Sequence, residues 1–158
     1  MSRRPRDGNG AILDPTSKKI IEQLQEDGRR PYSTIGRAVG LSEAAVRQRV
    51  QRLVESGVVQ IVAVTDPLQV GFARQAMIGI QADGDLESLA DRLAALPEVD
   101  YVVITAGSYD LLVELVCEDD EHLLDVINAS IRAMPGVNRT EAFVYLKLRK
   151  QLYNWGTR

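Results

Sequence analysis

Residues 32–53 read YSTIGRAVGLSEAAVRQRVQRL, and the spacing of their apolar residues predicts two short helices joined by a tight turn. In the first helix, Ile35 and Val39 lie four residues apart and therefore share one face. The apolar residues of the second helix recur at i, i+4 and i+7, as Val46, Val50 and Leu53. The two apolar stripes can therefore pack against each other.

The residues between these helices suit a sharp corner. Gly40 can adopt the left-handed conformation that ends a helix, and the Ser42 side chain can cap the free N–H groups of the next one. Gly36 has no side chain, which lets the second helix cross closely over the first. This pattern predicts a helix-turn-helix, whose second helix lies in the major groove of DNA.

The outer side of the second helix carries side chains that read DNA bases. Arg pairs with guanine, Gln pairs with adenine, and a small Ala permits close approach. Residues 29–52 contain six arginines and a single acid, Glu43, an excess of charge that a merely soluble surface does not need. The alternative is a solvated helix face. We predict DNA contacts from Ser42, Ala44, Arg47, Gln48, Gln51 and Arg52, and from Arg49 as a structural or backbone contact.

Length and charge predict two domains with different tasks. The chain has 158 residues, 45% of them apolar and 26% charged, which suits one large or two small domains. Its net charge is −3, but residues 1–64 hold eleven Lys/Arg and seven Asp/Glu, whereas residues 65–158 hold eight and fifteen. No apolar run approaches the ~20 residues that span a bilayer. The first residues, MSRRPRDGNG, lack the apolar segment of a secretory signal, so we expect a cytoplasmic protein and no membrane partner.

The sequence offers little for catalysis or metal binding. Cys117 and His122 are the only residues of their types, so they cannot form a zinc site within one chain. Cys117 lies in an apolar run, where a small core residue is the expected role. There is no Ser/His/Asp spacing, glycine-rich phosphate loop or HExxH pattern. We therefore expect no catalytic residues, no metal and no cofactor.

The residues on either side of the helix-turn-helix indicate where the domains begin and end. Asp14 and Pro15 predict the N-cap and first residue of a helix that Gly28 ends. Residues 58–65 are β-rich and fit either a wing-like strand or an arm to the next domain. The predicted boundaries are 1–11 for a disordered arm, 12–58 for the DNA-binding domain, 59–73 for a linker strand, 74–150 for a second domain and 151–158 for a tail.

The second domain alternates strand and helix periods. Strands are predicted at 75–82, 99–105, 110–117 and 137–148, and helices at 86–96 and 121–134. This βαββαβ order is the ferredoxin-like arrangement, an antiparallel sheet with both helices on one face. The predicted fold class is α+β, with a winged-helix-like helix-turn-helix followed by a ferredoxin-like domain.

Both faces of the predicted sheet are apolar. Leu111, Val113 and Leu115 point to one side, yet Leu112 and Val116 point to the other. Helices of the same chain cover one face, so the second predicts a two-fold homodimer formed through the sheet. A dimer also supplies two recognition helices for two DNA half-sites.

With both halves in place, the chain resembles the Lrp/AsnC family of transcription regulators over about residues 12 to 150. The stretches that carry the resemblance are Leu13-Asp14, GLSEAAVRQRVQRL at 40–53, Glu55-Ser56-Gly57-Val58, the linker 66–71, Ala106-Gly107-Ser108-Tyr109-Asp110, and Met134-Pro135-Gly136-Val137. Ser17, Thr34 and Gly36 depart from the residues common in the family, Asp, Glu and Ala respectively. These departures concern helix starts and packing in the first domain.

The resemblance implies a regulatory domain that dimerises through its sheet, assembles into tetramers or octamers, and binds an amino acid or related effector at a junction between dimers. Asp110 would pair with the ligand ammonium, and the backbone N–H groups of Gly107 and Ser108 would meet its carboxylate. The predicted effector residues are Thr105, Gly107, Ser108, Tyr109 and Asp110. The alternative is that this segment is an ordinary hairpin turn.

The predicted function is that of a sequence-specific transcriptional regulator. It would bind duplex DNA at an operator and control genes of amino-acid or nitrogen metabolism. The rival from another class is an amino-acid-sensing regulatory subunit of a metabolic enzyme, because ferredoxin-like domains also serve that purpose.

Overall fold

The computed structural model describes residues 13–158, which form two compact units. The first unit comprises the described residues up to Ala63 together with Lys150–Arg158, and the second spans Val64–Arg149. The predicted arm at residues 1–11 lies outside the described part of the chain. None of the helices in that part is long and apolar enough to cross a bilayer.

The first unit is built on three helices: α1 (Pro15–Glu26), α2 (Tyr32–Val39) and α3 (Glu43–Glu55). Its core consists of Ile20, Leu24, Ile35, Val46 and Val50. The start of α1 is as predicted, since a carboxylate oxygen of Asp14 accepts a hydrogen bond from the N–H of Ser17 at 2.7 Å and Pro15 is the first helical residue. The helix ends at Glu26, two residues before the predicted Gly28.

The corner between α2 and α3 confirms the helix-turn-helix. Gly40 has a φ of 73°, and the Ser42 hydroxyl accepts a hydrogen bond from the N–H of Ala45 at 3.2 Å. A Cβ at Gly36 would lie 2.5 Å from the carbonyl oxygen of Leu41. The close approach at Gly36 is therefore to the backbone of the turn, and not to the crossing helix as the sequence suggested.

The predicted linker strand at residues 59–73 is wrong, because none of these residues forms a strand. Residues 58–66 belong to no helix or strand, and only a short 3-10 helix, Pro67–Gln69, follows. The N–H groups of Val58 and Val59 both donate to the carbonyl of Leu53, at 3.0 and 3.1 Å, which folds the chain back onto the end of α3. No other strand in the described part of the chain pairs with this segment, and a strand without a partner does not form a sheet. A wing is likewise absent from the described residues.

The second unit has the predicted ferredoxin-like topology. Its elements are β1 (Arg74–Ala82), α4 (Leu86–Ala94), β2 (Val99–Ile104), β3 (Leu111–Cys117), α5 (Asp120–Asp125) with a π-helix (Val126–Ile131), and β4 (Val137–Val144). The four strands form one sheet in the order β2-β3-β1-β4, and the paired strands are antiparallel. The α+β class and the antiparallel sheet are therefore as predicted from the sequence.

The predicted helix at 121–134 differs, because only its first turns are α-helical. From Val126 to Ile131 the chain is a π-helix, and the N–H of Arg132 donates to the carbonyl of Ile127, five residues earlier, at 2.9 Å. The wider turn brings Ile131 to the same buried side as Val126 and Ile127. Packing against the sheet therefore overrides the regular α-helical period.

The last strand is shorter than predicted, ending at Val144 and not near residue 148. Its neighbour β1 begins at Arg74, and the final pairing of the ladder is Ala76 with Val144. One further bond, from the N–H of Tyr145 to the carbonyl of Gln75 at 2.8 Å, ends the contact. The residues after Tyr145 form no further ladder bonds with β1.

One face of the sheet and the helices form the core of the second unit. Ile78 and Ile80 of β1 and Val113 of β3 are fully buried beneath Leu89 and Leu93 of α4 and the residues of α5 and the π-helix. Cys117 is also buried here, and burial, followed by the charges of Glu98 and Asp119, raises the pKa of its thiol to about 11. It is the small core residue that the sequence predicted.

The other face of the sheet, which we call the open face, is not covered by any helix of the described chain. It presents Met77, Leu112, Tyr101 and Phe143, and the two aromatic residues are 47% and 44% exposed. Polar pairs interrupt it, among them the Gln75 side chain, which donates to the Glu114 carboxylate at 2.8 Å. The second apolar face that the sequence predicted is therefore present.

We expect Gly36→Ala to lower the free energy of unfolding of the first unit by about 1 to 3 kcal/mol, because its Cβ would overlap the carbonyl oxygen of Leu41. Urea denaturation followed by circular dichroism measures this. Gly28→Ala is the matched control, since its Cβ would meet only the carbonyl oxygen of Leu24, at 3.8 Å. Equal stability of the two variants would contradict the close contact.

Candidate nucleic-acid interface and effector loop

The outer side of α3 carries the predicted DNA-binding residues. The buried residues of α3 are Val46, Val50 and Leu53. The exposed ones include Ser42 at the N-cap and, along the helix, Ala44, Arg47, Gln48, Gln51 and Arg52. This helix therefore presents one continuous face of Arg and Gln side chains to solvent, as the helical period of the sequence predicts.

Arg47 is held in place by two neighbours. Its guanidinium lies 2.8 Å from the Glu43 carboxylate and 5.3 Å from the centre of the Tyr32 ring. The side chain is nevertheless 63% exposed, and exposed ion pairs of this kind contribute little. DNA can therefore compete with Glu43 for this guanidinium. The cation–π contact with the Tyr32 ring helps to keep the guanidinium in position.

Gln48 and Arg52 are the least engaged of these residues. Arg52 donates only a long bond, 3.4 Å, to the backbone carbonyl of Gln48, and the Gln48 amide has no hydrogen bond to any described residue. Gln51 donates to Glu55 at 2.8 Å. Bidentate contacts to base edges need a free guanidinium or amide, so Gln48 and Arg52 are the best placed to make them.

Arg49 differs from the other arginines of α3. Its guanidinium lies 2.5 Å from the Asp14 carboxylate and 3.2 Å from the Ser17 hydroxyl, both at the start of α1. The N–H of Ser17, and then Arg49, hold the pKa of Asp14 below its usual value. Arg49 therefore ties α3 to the capping residue of α1, and its contact with DNA stays a prediction.

Residues 105–110 contain the predicted effector residues, and we call them the effector loop. This loop connects β2 to β3 and is internally bonded. The N–H of Thr105 donates to the carbonyl of Asp110 at 2.8 Å, and its hydroxyl donates to the carbonyl of Tyr109 at 2.5 Å. The N–H of Asp110 in turn donates to the carbonyl of Ile80, in β1, at 2.8 Å. These bonds fix both ends of the loop on the sheet.

The Asp110 side chain also bonds to β1. One carboxylate oxygen accepts a hydrogen bond from the N–H of Ala82 at 2.8 Å. Ala82 follows a shift of register between β1 and β4 at Gln81, where the regular ladder is interrupted. Asp110 thus satisfies an amide that the bulge leaves free, and it has a second oxygen for another partner.

Tyr109 lies on the open face of the sheet. Its ring covers Gly79, where a Cβ would come within 2.8 Å of the ring atoms, and packs edge to face with Phe143 at 6.1 Å. Its hydroxyl donates to the Glu141 carboxylate, and this bond is the main reason that the pKa of Tyr109 is raised. Sequence reasoning missed Gly79, Glu141 and Phe143 as neighbours of the loop. An isolated glycine within a strand was the available sign of such a close approach.

Gly107 and Ser108 form the exposed tip of the loop. Neither of their N–H groups donates to any described residue, whereas the carbonyl of Ser108 accepts a bond from the Gln81 side chain at 2.8 Å. Free, adjacent backbone N–H groups can bind an anion such as a carboxylate. The structure thus brings all five predicted effector residues into one loop but gives Asp110 and Tyr109 partners within the chain.

Two family models match the two parts of the chain. Residues 13–54 match the AsnC-type helix-turn-helix domain, and residues 72–158 match the C-terminal dimeric alpha+beta barrel domain of AsnC-type regulators. The chain belongs to the AsnC/Lrp family. It is a DNA-binding regulator of transcription with a helix-turn-helix, as the sequence predicted.

Individual AsnC/Lrp proteins are similar along most of the chain. The HTH-type transcriptional regulator FL11 of Pyrococcus horikoshii is 35% identical over 141 residues, which cover 88% of this chain and 93% of the relative. The structure of the regulator NMB0573 of Neisseria meningitidis in complex with L-Met has a TM-score of 0.75 at 26% identity and covers 90% of this chain and 95% of that one. The leucine response regulatory protein LrpA of Mycobacterium tuberculosis has a TM-score of 0.77 at 28% identity, with coverage of 89% and 100%.

We expect Asp110→Ala to lower the free energy of unfolding by about 1 to 3 kcal/mol, because the half-buried N–H of Ala82 loses its acceptor. Asp110→Asn keeps an oxygen acceptor and should be the more stable of the two. Urea denaturation of both variants beside the parent protein measures the difference. Parent-like stability of Asp110→Ala would mean that the bond to Ala82 contributes nothing.

Proposed function

We propose that this AsnC/Lrp regulator is a homodimer that recognises a specific operator through α3 and responds to an amino acid or close analogue at the effector loop. The exposed Arg and Gln face of α3 carries the DNA part of the proposal. Its site of action is then the compartment that holds its DNA, the cytoplasm. The rival function, a regulatory subunit of a metabolic enzyme, is not favoured, because such a subunit has no use for a helix-turn-helix.

We assign recognition of the base sequence mainly to Gln48 and Arg52. Arg47 and Gln51 make further contacts, and the small side chain of Ala44 lets α3 approach the DNA closely. Gln48 and Arg52 have free or weakly engaged polar groups on the exposed side of α3. Ser42, which caps α3, exposes the positive end of that helix to phosphate. Arg49 acts through Asp14, by holding α3 against α1.

Dimerisation is assigned to the open face of the sheet. Exposed aromatic residues there, such as Tyr101 and Phe143, leave apolar surface in water that a second copy of the same face can cover. The family model matched by residues 72–158 describes a dimeric domain, which supports the same assembly. A dimer also presents two α3 helices to two half-sites of an operator. Further association into tetramers or octamers is an extension of this proposal.

Effector binding is assigned to Thr105, Gly107, Ser108, Tyr109 and Asp110. The free N–H groups of Gly107 and Ser108 suit a ligand carboxylate, and the second oxygen of Asp110 suits its ammonium group. The L-Met complex of the similar regulator NMB0573 supports an amino acid as the class of ligand. The effector changes DNA binding by favouring whichever assembly completes its site.

We expect Arg52→Ala to weaken binding to a duplex selected from a random library by about 1 to 3 kcal/mol if Arg52 reads a base, and to reduce the salt slope if it contacts phosphate. Fluorescence anisotropy at several salt concentrations separates the two. Lys147→Ala removes the same charge from the second unit and is the control. Parent-like affinity and salt slope in Arg52→Ala, with folding intact, would remove Arg52 from the interface.

For the dimer, we expect Phe143→Glu to yield monomers in sedimentation velocity at micromolar concentration, because the new charge is desolvated in the interface without a partner. Leu124→Glu is the matched control, since Leu124 is 58% exposed on α5 and lies outside the sheet. The control should sediment like the parent protein. A parent protein that is monomeric, or dimers that survive Phe143→Glu, would refute the open-face interface.

The effector assignment is tested by a thermal-shift screen of amino acids and 2-oxo acids. A ligand that binds the folded protein and not the unfolded chain raises its melting temperature, and the shift grows with the logarithm of the ligand concentration above its Kd. Asp110→Asn removes the negative charge but keeps the acceptor for Ala82, so we expect it to fold and to lose the response to amino acids while retaining DNA binding. A full amino-acid response in this variant would place the ammonium group elsewhere.

A further inference from the structure

Residues 150–158, which we call the strap, belong to the first unit although they follow the last strand of the second. The chain leaves the first unit after Ala63 and enters it again at Lys150. Only residues 145–149 separate the end of β4 at Val144 from the strap. The first unit is therefore connected to the second by two stretches of chain and not by one.

The strap is bonded to α1 at two points. The N–H of Gly156 donates to the side-chain oxygen of Gln25 at 3.0 Å, and the Thr157 hydroxyl donates to the Glu22 carboxylate at 2.6 Å. Glu22 and Gln25 are three residues apart in α1, so they are neighbours on one side of the helix. Two consecutive residues of the strap thus bond to two adjacent positions of α1.

The bonded part of the strap differs from the rest in exposure and backbone conformation. Gly156 and Thr157 are half-buried, whereas residues 150–155 are exposed, Trp155 to 79%. Gly156 has a φ of 77°, a conformation that residues with a side chain rarely adopt. Binding to α1 therefore rests on the two hydrogen bonds at the turn, and not on burial of the apolar residues that precede it.

The two side chains of α1 have no competing partner. Within the described part of the chain, the strap supplies the only side-chain hydrogen bonds of Glu22 and Gln25. The bond from Thr157 to the Glu22 carboxylate is charge-assisted, and bonds of this kind are stronger than those between neutral groups. The strap therefore docks on α1 without displacing another interaction.

The helix α1 in turn supports the recognition helix α3. Ile20 and Leu24 of α1 belong to one core with Val46 of α3. The ion pair between Arg49 and Asp14 joins the same two helices at the start of α1. A restraint on α1 is therefore also a restraint on α3, although neither bond of the strap to α1 involves α3 itself.

We propose that the strap is a conformational restraint, which docks on α1 of its own chain and limits the orientations open to the first unit. In a dimer it thereby prepares the two α3 helices for an operator with two half-sites. The inference rests on the proposed dimer and on the proposed readout of DNA by α3.

The physical reason is the freedom that a single connection would leave. Residues 58–66, in the other connection, form neither helix nor strand. A unit held by one such stretch samples many orientations, and that freedom is lost when both α3 helices bind one operator. A second attachment removes part of this loss in advance, which raises the effective concentration of the second α3 at its half-site.

Docking of the strap is measured through Trp155, the only tryptophan of the chain. Time-resolved fluorescence anisotropy of the full chain shows how freely this side chain moves relative to the whole molecule. We expect Thr157→Glu to increase the amplitude of the fast decay, because the new carboxylate is repelled by Glu22. Thr157→Ser keeps the hydroxyl and should decay like the parent protein. Parent-like decay in Thr157→Glu would refute docking through this pair.

Exchange of charges identifies the partner of Thr157. Glu22→Lys combined with Thr157→Glu recreates an attractive pair and should restore the anisotropy decay of the parent protein. Asp91→Lys makes the same change of charge at an exposed position of α4, in the second unit. Its combination with Thr157→Glu should stay released. A double variant with Glu22→Lys that stays released as well would overturn the assignment to α1.

Docking within one chain is tested with Phe143→Glu, the variant expected to be monomeric. Its strap should remain bound, so Trp155 should show the same small fast amplitude as in the parent protein. An increase of that amplitude in monomers would mean that the strap docks on a second chain, which would overturn the restraint within one chain.

DNA binding tests what the restraint does. The parent protein, Thr157→Glu and a deletion of residues 150–158 are titrated with duplexes that carry one or two half-sites, chosen by selection from a random library. We expect both released proteins to bind the two-site duplex roughly tenfold more weakly than the parent protein does, because they lose effective concentration. Affinity for the one-site duplex should be unchanged. Unchanged or tighter binding of the two-site duplex by the released proteins would refute the restraint.

The same titrations separate this inference from the proposed function. A parent protein that binds the two-site duplex no more tightly than the one-site duplex contradicts both the dimeric readout and the restraint. A parent protein that prefers two half-sites, with released variants that keep this preference in full, contradicts the restraint alone.

Discussion

The sheet of the second unit has apolar side chains on both faces, while its helices cover only one. Ile78 and Val113 are buried beneath α4 and α5, but Tyr101 and Phe143 on the other face remain in contact with water. The free energy of covering that apolar surface is what drives the proposed dimer. The effector loop is part of the same face, because Tyr109 packs on Gly79 and Phe143. A ligand that moves Tyr109 would therefore change the surface that we assign to the proposed dimer.

The elements predicted correctly from the sequence are those whose signals are local. Gly40 and Ser42 specify the helix-turn-helix through the φ angle of one residue and the hydroxyl of the other, so the corner forms as predicted. The segment at 58–66 has strand-forming residues, yet a strand also needs a neighbour, and the described chain supplies none. The π-helix at Val126–Ile131 and the early end of β4 have the same origin, since packing and pairing with distant residues determine them.

The candidate effector residues illustrate the same limit within a single loop. The sequence placed Tyr109 in the connection between two strands and Asp110 at the start of the second strand, whereas β3 begins one residue later, at Leu111. Their partners, however, are Glu141 and Ala82, which lie 32 and 28 residues away along the chain. Such pairings depend on the register of β1 with β3 and β4, and a single sequence does not specify that register by its apolar pattern alone. The loop is therefore held more rigidly than a free turn. Less conformational entropy is lost when a ligand binds to it.

The three arginines of α3 lie within six residues of one another, but their partners give them different tasks. Arg49 is paired with Asp14, so contact with DNA would have to break that pair before any favourable interaction with phosphate. Arg47 would give up only a solvent-exposed ion pair with Glu43 on contact with DNA. Arg52 has no acidic partner among the described residues. The salt dependence of DNA binding reports the phosphates that cations neutralise. It should therefore be smaller than the six arginines of residues 29–52 suggest, because a cation that already has a carboxylate partner contributes less to the release of counterions.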